Sequence, residues 1–126
     1  MSAKDDAPHA YHGLDRVLHE KARLGILVAL SSRPGGVLFP DLKLLCELTD
    51  GNLNRHLSVL ADAGLVEVWK TAESGTRGRT LVRISDAGRE AFRAYLDELA
   101  RVLEDAKSSA TTKKRGGDPG PQWAPA

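Results

Sequence analysis

The sequence predicts a mainly α domain of α+β type, with several helices, a two-stranded β-hairpin and a long C-terminal helix. Three observations predict it. Apolar residues return at steps of three and four along Leu14–Leu30, Leu42–Leu48, Leu53–Leu60 and Phe92–Ala106. Between the last two runs, Val66, Val68 and Lys70 alternate with Glu67, Trp69 and Thr71, and Thr80–Ile84 follows as a second extended stretch. The composition, 41% hydrophobic but 5% aromatic, calls for a core of Leu, Val, Ile and Ala, which suits packed helices.

The elements follow in order. Residues 1–12 carry no periodicity and read as a flexible arm. A first helix starts near Leu14 and runs through Gly25 to Leu30, stopped by Ser31, Pro34, Gly35 and Gly36. Val37–Phe39 is a short extended piece, and Pro40 suits a first helical turn because it has no N–H to leave unpaired there. Leu42, Leu45, Cys46 and Leu48 form the apolar face of a short second helix. Thr49 caps a third helix that runs to about Ala63, and Gly64 ends it in a left-handed turn. The polar stretch 72–78 turns the hairpin. Ser85 caps a fourth helix that runs to about Asp105. The domain therefore spans 13–105. The stretch 106–126, rich in Gly, Pro, Ser, Thr and Lys, reads as a disordered tail, with Trp123 unexplained and Lys113, Lys114 and Arg115 suited at most to nonspecific phosphate contact.

Several function classes are excluded or weakened. The single Cys46 allows no intrachain disulfide and no zinc knuckle, and a reducing compartment suits it. The polar N-terminus lacks an apolar signal core, and no apolar run is long enough to span a bilayer, so a cytoplasmic location without membrane contact is expected. No phosphate loop, nucleophile with a nearby base or metal-ligand spacing is visible, so no enzyme is expected. Net charge is only +1, but it is unevenly spread. Lys70, Arg77, Arg79 and Arg83 crowd 70–83 against Glu73, whereas 86–105 holds six acidic residues against three Arg.

Two helices joined by a tight turn and followed at once by a β-hairpin make a helix-turn-helix with a wing. The third helix has Leu53, Leu57 and Leu60 on one side and Gly51, Arg55, Ser58 and Asp62 on the other, with Asn52 and Asn54 flanking. Arg, Asn and Ser are the side chains that read base edges in the major groove. Gly51 lets a phosphate approach the helix N-terminus, where the backbone N–H groups favour an anion. Glu and Lys, the usual solvent-face residues, are absent from 50–60. The DNA-contacting set is therefore Thr49, Gly51, Asn52, Asn54, Arg55 and Ser58 on the helix, with Lys70, Arg77 and Arg79 on the wing, where Arg suits a narrow minor groove.

The stretch Leu48-Thr49-Asp50-Gly51-Asn52-Leu53-Asn54-Arg55-His56-Leu57-Ser58-Val59-Leu60, then Ala63-Gly64-Leu65-Val66, resembles the winged helix regulators of the MarR-like and ArsR-like superfamily, in its compact single-domain branch. So do the hairpin exit Thr80–Arg89, the segment Leu14–His19 and Ala22-Arg23-Leu24. The likeness covers Leu14 to Asp105. It implies a winged helix-turn-helix fold, a DNA role for the wing arginines and a transcriptional regulator rather than an enzyme. Metal sensors of the ArsR-like type carry paired Cys or clustered His and Asp. One Cys and the scattered His9, His12, His19 and His56 depart from that pattern, so neither a metal nor a cofactor is expected.

The last helix carries Phe92, Tyr95, Leu99, Val102 and Ala106 at alternating steps of three and four, with Leu96 and Leu103 beside them. This is a heptad seam, and it predicts a homodimer. The expected function is sequence-specific binding of double-stranded DNA by that dimer. The alternative is a winged helix serving as a protein–protein interaction module, since fold alone does not fix function. An unknown small-molecule effector stays open, because Trp69 and Leu81, on the hairpin face away from the core, leave room for a ligand at a dimer seam.

Overall fold

Polar side chains fix where three of the described helices begin, through Glu20, Thr49 and Ser85. In the computed structural model, which describes residues 7–71 and 78–116 (111–116 as helix backbone only), helix α1 spans Lys21–Ser31. It starts at Lys21 rather than near Leu14. Glu20 is extended (φ −144°), and its carboxylate accepts from the backbone N–H groups of Ala22 at 3.3 Å and Arg23 at 3.2 Å. Upstream, Asp15 Oδ1 accepts from Val17 N at 2.7 Å, and the chain from Tyr11 to Glu20 is a series of turns. Leu14, Val17 and Leu18 still pack on the core, so their apolar spacing reflects burial and not a helix.

Strand β1 (Val37–Leu38) leads into α2 (Phe39–Cys46), with Pro40 in its first turn. Glu47, left-handed at φ 52°, ends α2. Leu42 is the one buried residue of α2, and Leu45 is half exposed rather than inward. On a helix, Cys46 lies about 40° to one side of Leu42 and Leu45 about 60° to the other, and α2 is rolled toward Cys46. Helix α3 spans Asp50–Asp62, and Gly64 follows it at φ +76°. Strands β2 (Val66–Thr71) and β3 (Arg79–Ile84) form the hairpin. The expected two-stranded hairpin is joined by the short extended piece β1 into an antiparallel sheet of order β1-β3-β2, because Val37 pairs with Val82 and Leu38 with Leu81.

Helix α4 spans Asp86–Gly116. Ser85 fixes its start: the hydroxyl donates to Gly64 O at 2.6 Å and accepts from Gly88 N at 2.9 Å. A Cβ at Gly88 would overlap the carbonyl oxygen of Leu65, so only glycine lets α4 approach the α3–β2 turn this closely. The helix continues beyond the expected end at Asp105. No Gly or Pro occurs between Arg89 and Arg115, and Ala and Lys sustain a solvated helix that needs no apolar face. Residues 117–126, with Trp123, lie outside the described residues. From the expected arm, Tyr11 Oη donates to Asp105 Oδ2 of α4 at 2.6 Å, and just after the arm Gly13 N donates to Glu98 Oε2 at 2.9 Å.

The core joins Leu18, Leu27 and Leu30 from the N-terminal side, Leu42 from α2, Leu53 and Leu60 from α3, Val82 from β3 and Tyr95 from α4.

Candidate nucleic-acid interface

The cap of α3 organises the face that follows it. Thr49 is extended, and its Oγ1 accepts from Asn52 N at 3.2 Å. With the helix start fixed, 3.6 residues per turn send Leu53, His56, Leu57 and Leu60 inward. Thr49, Gly51, Asn52, Asn54, Arg55 and Ser58 are all exposed, as the sequence led us to expect. A Cβ at Gly51 would meet nothing in the chain, so the protein's own packing does not call for glycine there, and the bare backbone faces open space. Asp50, an acidic residue in this first turn, is paired with Lys43 of α2 (Nζ–Oδ1 2.9 Å), which offsets its negative charge.

The hairpin completes the surface. Lys70 pairs with Thr80 and Thr71 with Arg79 at the described end of the ladder. Strand alternation puts Lys70 and Thr80 on the side of α3, and Arg79 on the opposite side with Leu81 and Trp69. Between α3 and the hairpin lies an open cleft of about 460 Å³, lined by Asn54, Ser58, Lys70 and Thr80 over a floor that includes Leu57 and Val68. The cleft brings Asn54, Ser58 and Lys70 together. Arg55 is exposed outside it, and Arg77 lies outside the described residues. Arg83, counted in the basic stretch, is engaged elsewhere: it pairs with Glu67 at 3.2 Å and lies over the Trp69 ring at 5.7 Å. Leu81 lines a second open groove with Leu44 and Leu45.

The seam expected on α4 is divided. Phe92 and Tyr95 are buried in the domain's own core, and Leu99 and Val102 are half-buried. Leu96 and Leu103 are 44% and 53% exposed. Cys46 is half-buried, and burial pushes its thiol pKa up, which disfavours the reactive thiolate. Among the described residues, no group of three or more His, Cys, Asp or Glu side chains could hold a metal ion. His19 Nδ1 is 2.6 Å from Tyr95 Oη, and His9 Nδ1 is 3.3 Å from Tyr11 Oη.

The sequence reading missed the contacts that seat α3. Arg23 Nε donates to His56 Nδ1 at 3.3 Å, and Glu20 Oε2 lies 3.6 Å from the same nitrogen. Burial raises the Glu20 pKa, but the Ala22 and Arg23 N–H groups and the His56 and Arg23 charges outweigh it, so the carboxyl ends below its ordinary value. These partners stand 33 and more residues apart, and no local spacing marks them. Among the described residues, no helix is long and apolar enough to cross a membrane.

Residues 22–103 match the family model of a winged helix DNA-binding domain. An uncharacterized protein of Methanocaldococcus jannaschii is 41% identical over 67 residues, 53% of this chain and 72% of that protein. The structure of a transcriptional regulator homologue from Pyrococcus horikoshii superposes with a TM-score of 0.65 at 35% identity, covering 73% of this chain and 89% of that one. The crystal structure of MarR superposes at 0.62 with 20% identity, covering 81% of this chain and 72% of that one, a likeness of fold.

Proposed function

Since this chain belongs to the winged helix DNA-binding domain family, we propose that it is a transcriptional regulator that binds double-stranded DNA sequence-specifically as a homodimer. The observation that carries the reading is the solvent face of α3: Asn52, Asn54, Arg55 and Ser58 stand exposed beyond a fixed cap, beside a cleft edged by Lys70. Helix α3 enters the major groove and the wing meets the adjacent backbone or minor groove. The cleft then receives the sugar-phosphate strand between the two grooves, with Lys70 as its cation and Asn54, Ser58 and Thr80 as hydrogen-bond partners. Arg55, the long side chain of the exposed face, takes a guanine edge.

The dimer rests on α4. Leu96 and Leu103 present apolar surface that the domain leaves uncovered, and Leu99 and Val102 lie half-covered beside them. Two-fold symmetry would set the half-sites about 10 bp apart, centre to centre. The lone Cys46 suits a reducing, cytoplasmic setting. A small-molecule effector stays open, with the groove against Leu81 as the place to look.

Selection of bound sequences from random duplex DNA tests the reading. A palindromic motif is the expected result. Arg55→Ala is expected to cost about 1–3 kcal/mol on that motif and to flatten one base position per half-site. Binding by Arg55→Ala equal to that of the wild type, on both motif and scrambled duplex, excludes α3 as the reading element. An interaction module is the reading that then remains.

A further inference from the structure

His56 is the buried polar residue of α3, 6% exposed, on the inward side of the helix that carries Arg55. A guanidinium has donors and no acceptor, so the bond from Arg23 Nε fixes Nδ1 of the ring as an acceptor and leaves the ring proton on Nε2. Arg23 also donates from Nη1 to Val17 O at 3.2 Å, and thus ties the turns before α1 to the same point. The carboxylate of Glu20, which caps α1, lies beside this bond, 3.6 Å from Nδ1 and 3.8 Å from Arg23 Nε. Among the described residues, the charged groups at the His56 ring are Arg23 from α1 and Glu20 from its cap. A proton on Nδ1 removes the lone pair that Arg23 uses and leaves two cations to share the one Glu20 carboxylate. It also turns the nitrogen into a donor whose nearest acceptor is Glu20. One ring nitrogen therefore has two exclusive partners, chosen by protonation.

We propose that His56 is a positioning residue for DNA binding: its neutral ring, held by Arg23, seats α3 in the binding geometry, and proton uptake transfers it to Glu20 and weakens binding. Because Glu20 Oε2 already accepts from Arg23 N, the transfer also loads the cap of α1. The same turns are fastened to α4 through Tyr11 and Asp105, Gly13 and Glu98, and His19 and Tyr95, so a shift at the seat works against anchored chain rather than a loose arm. The proposal rests on α3 as the DNA-contacting helix.

The experiment uses the full chain and two readouts over about pH 5 to 8, the window in which imidazoles change charge. In the free protein, NMR follows the ring protons of His56, the Arg23 Nε–H and the backbone amides of Ala22, Arg23 and α3. The expected result is one shared transition, absent in His56→Asn, whose side-chain oxygen keeps an acceptor for Arg23 and does not titrate. With the selected duplex, wild-type affinity is expected to fall about three- to tenfold more than that of His56→Asn from pH 8 to pH 5. At pH 8, His56→Asn should bind within about twofold of the wild type, while His56→Leu, matched for folding by urea denaturation, binds more weakly. Equal pH profiles for wild type and His56→Asn overturn the proposal. So do Arg23 and α3 signals that stay still while His56 titrates. If the wild type binds no duplex at any pH, the functional reading above has failed, and the NMR transition alone decides whether the seat is proton-linked.

Discussion

Helices α3 and α4 are both amphipathic, and the domain treats them differently. The inward stripe of α3 is fully covered, with Leu53 and Leu60 at 0% exposure and Leu57 at 4%, so what α3 offers outward is mainly polar, Ala61 and part of Val59 aside. Helix α4 buries Phe92, Tyr95 and Glu98 on one side and leaves Leu96 and Leu103 in solvent on another. A covered stripe leaves hydrogen-bonding chemistry as the main thing on display, which suits a nucleic-acid groove. An uncovered stripe displays apolar area, which suits a second protein surface.

The largest expected effect breaks this contrast directly. Leu53→Ala should lower unfolding free energy by about 3 kcal/mol, the cost of a cavity in a packed core. Leu103→Asp should leave the urea stability of the monomer within about 0.5 kcal/mol and convert dimers to monomers in sedimentation. Leu103→Asp that stays dimeric would mean that the apolar end of α4 faces something other than a second copy. A smaller effect sharpens the polar side. Lys70→Ala should reduce the salt slope of DNA binding by about one, on motif and scrambled duplex alike, as expected when one phosphate contact is lost. A loss confined to the motif would make Lys70 a base-reading residue.

The smallest effect concerns Glu20, which caps α1 and lies against His56 of α3. The Glu20 carboxyl lies below its ordinary value, 4.5, so its contribution to stability is present above that pH and is lost as pH falls through the lowered value. Glu20→Gln should therefore lose stability at neutral pH and show a shallower acid limb in denaturation. Acid limbs of equal slope would show that Glu20 is not paired in this way.

Much of the fold was legible because its signals are local. Thr49 and Gly64 bracket α3, and Leu53, Leu57 and Leu60 mark its inner side within thirteen residues. The start of α1 was not legible, since Leu14, Val17 and Leu18 are apolar for packing reasons and the capping is done by Glu20, a side chain equally at home inside a helix. The third strand depends on Val37 meeting Val82, a pairing without a sequence neighbour to announce it. The end of α4 was hidden for the opposite reason: loss of the apolar period removes the packing signal and leaves the backbone free to stay helical. The exposed half of the candidate surface was readable as a list of residue types. The pairing of Lys43 with Asp50 and the seat of His56 were not, because each joins side chains of different elements.

The length of α4 has a mechanical consequence. At 1.5 Å per residue its 31 residues form a rod about 46 Å long, rooted at Ser85 and Gly88. Phe92, Tyr95 and the bonds to His19, Gly13 and Tyr11 hold it as far as Asp105, so rod and domain turn together, and a rotation of about 5° about Ser85 carries the far tip about 4 Å. Whatever grips the outer half of α4 thus has mechanical advantage over the angle at which the rest of the domain is carried. Two domains joined through such rods would have their separation tuned by very small rotations at the joint between the rods.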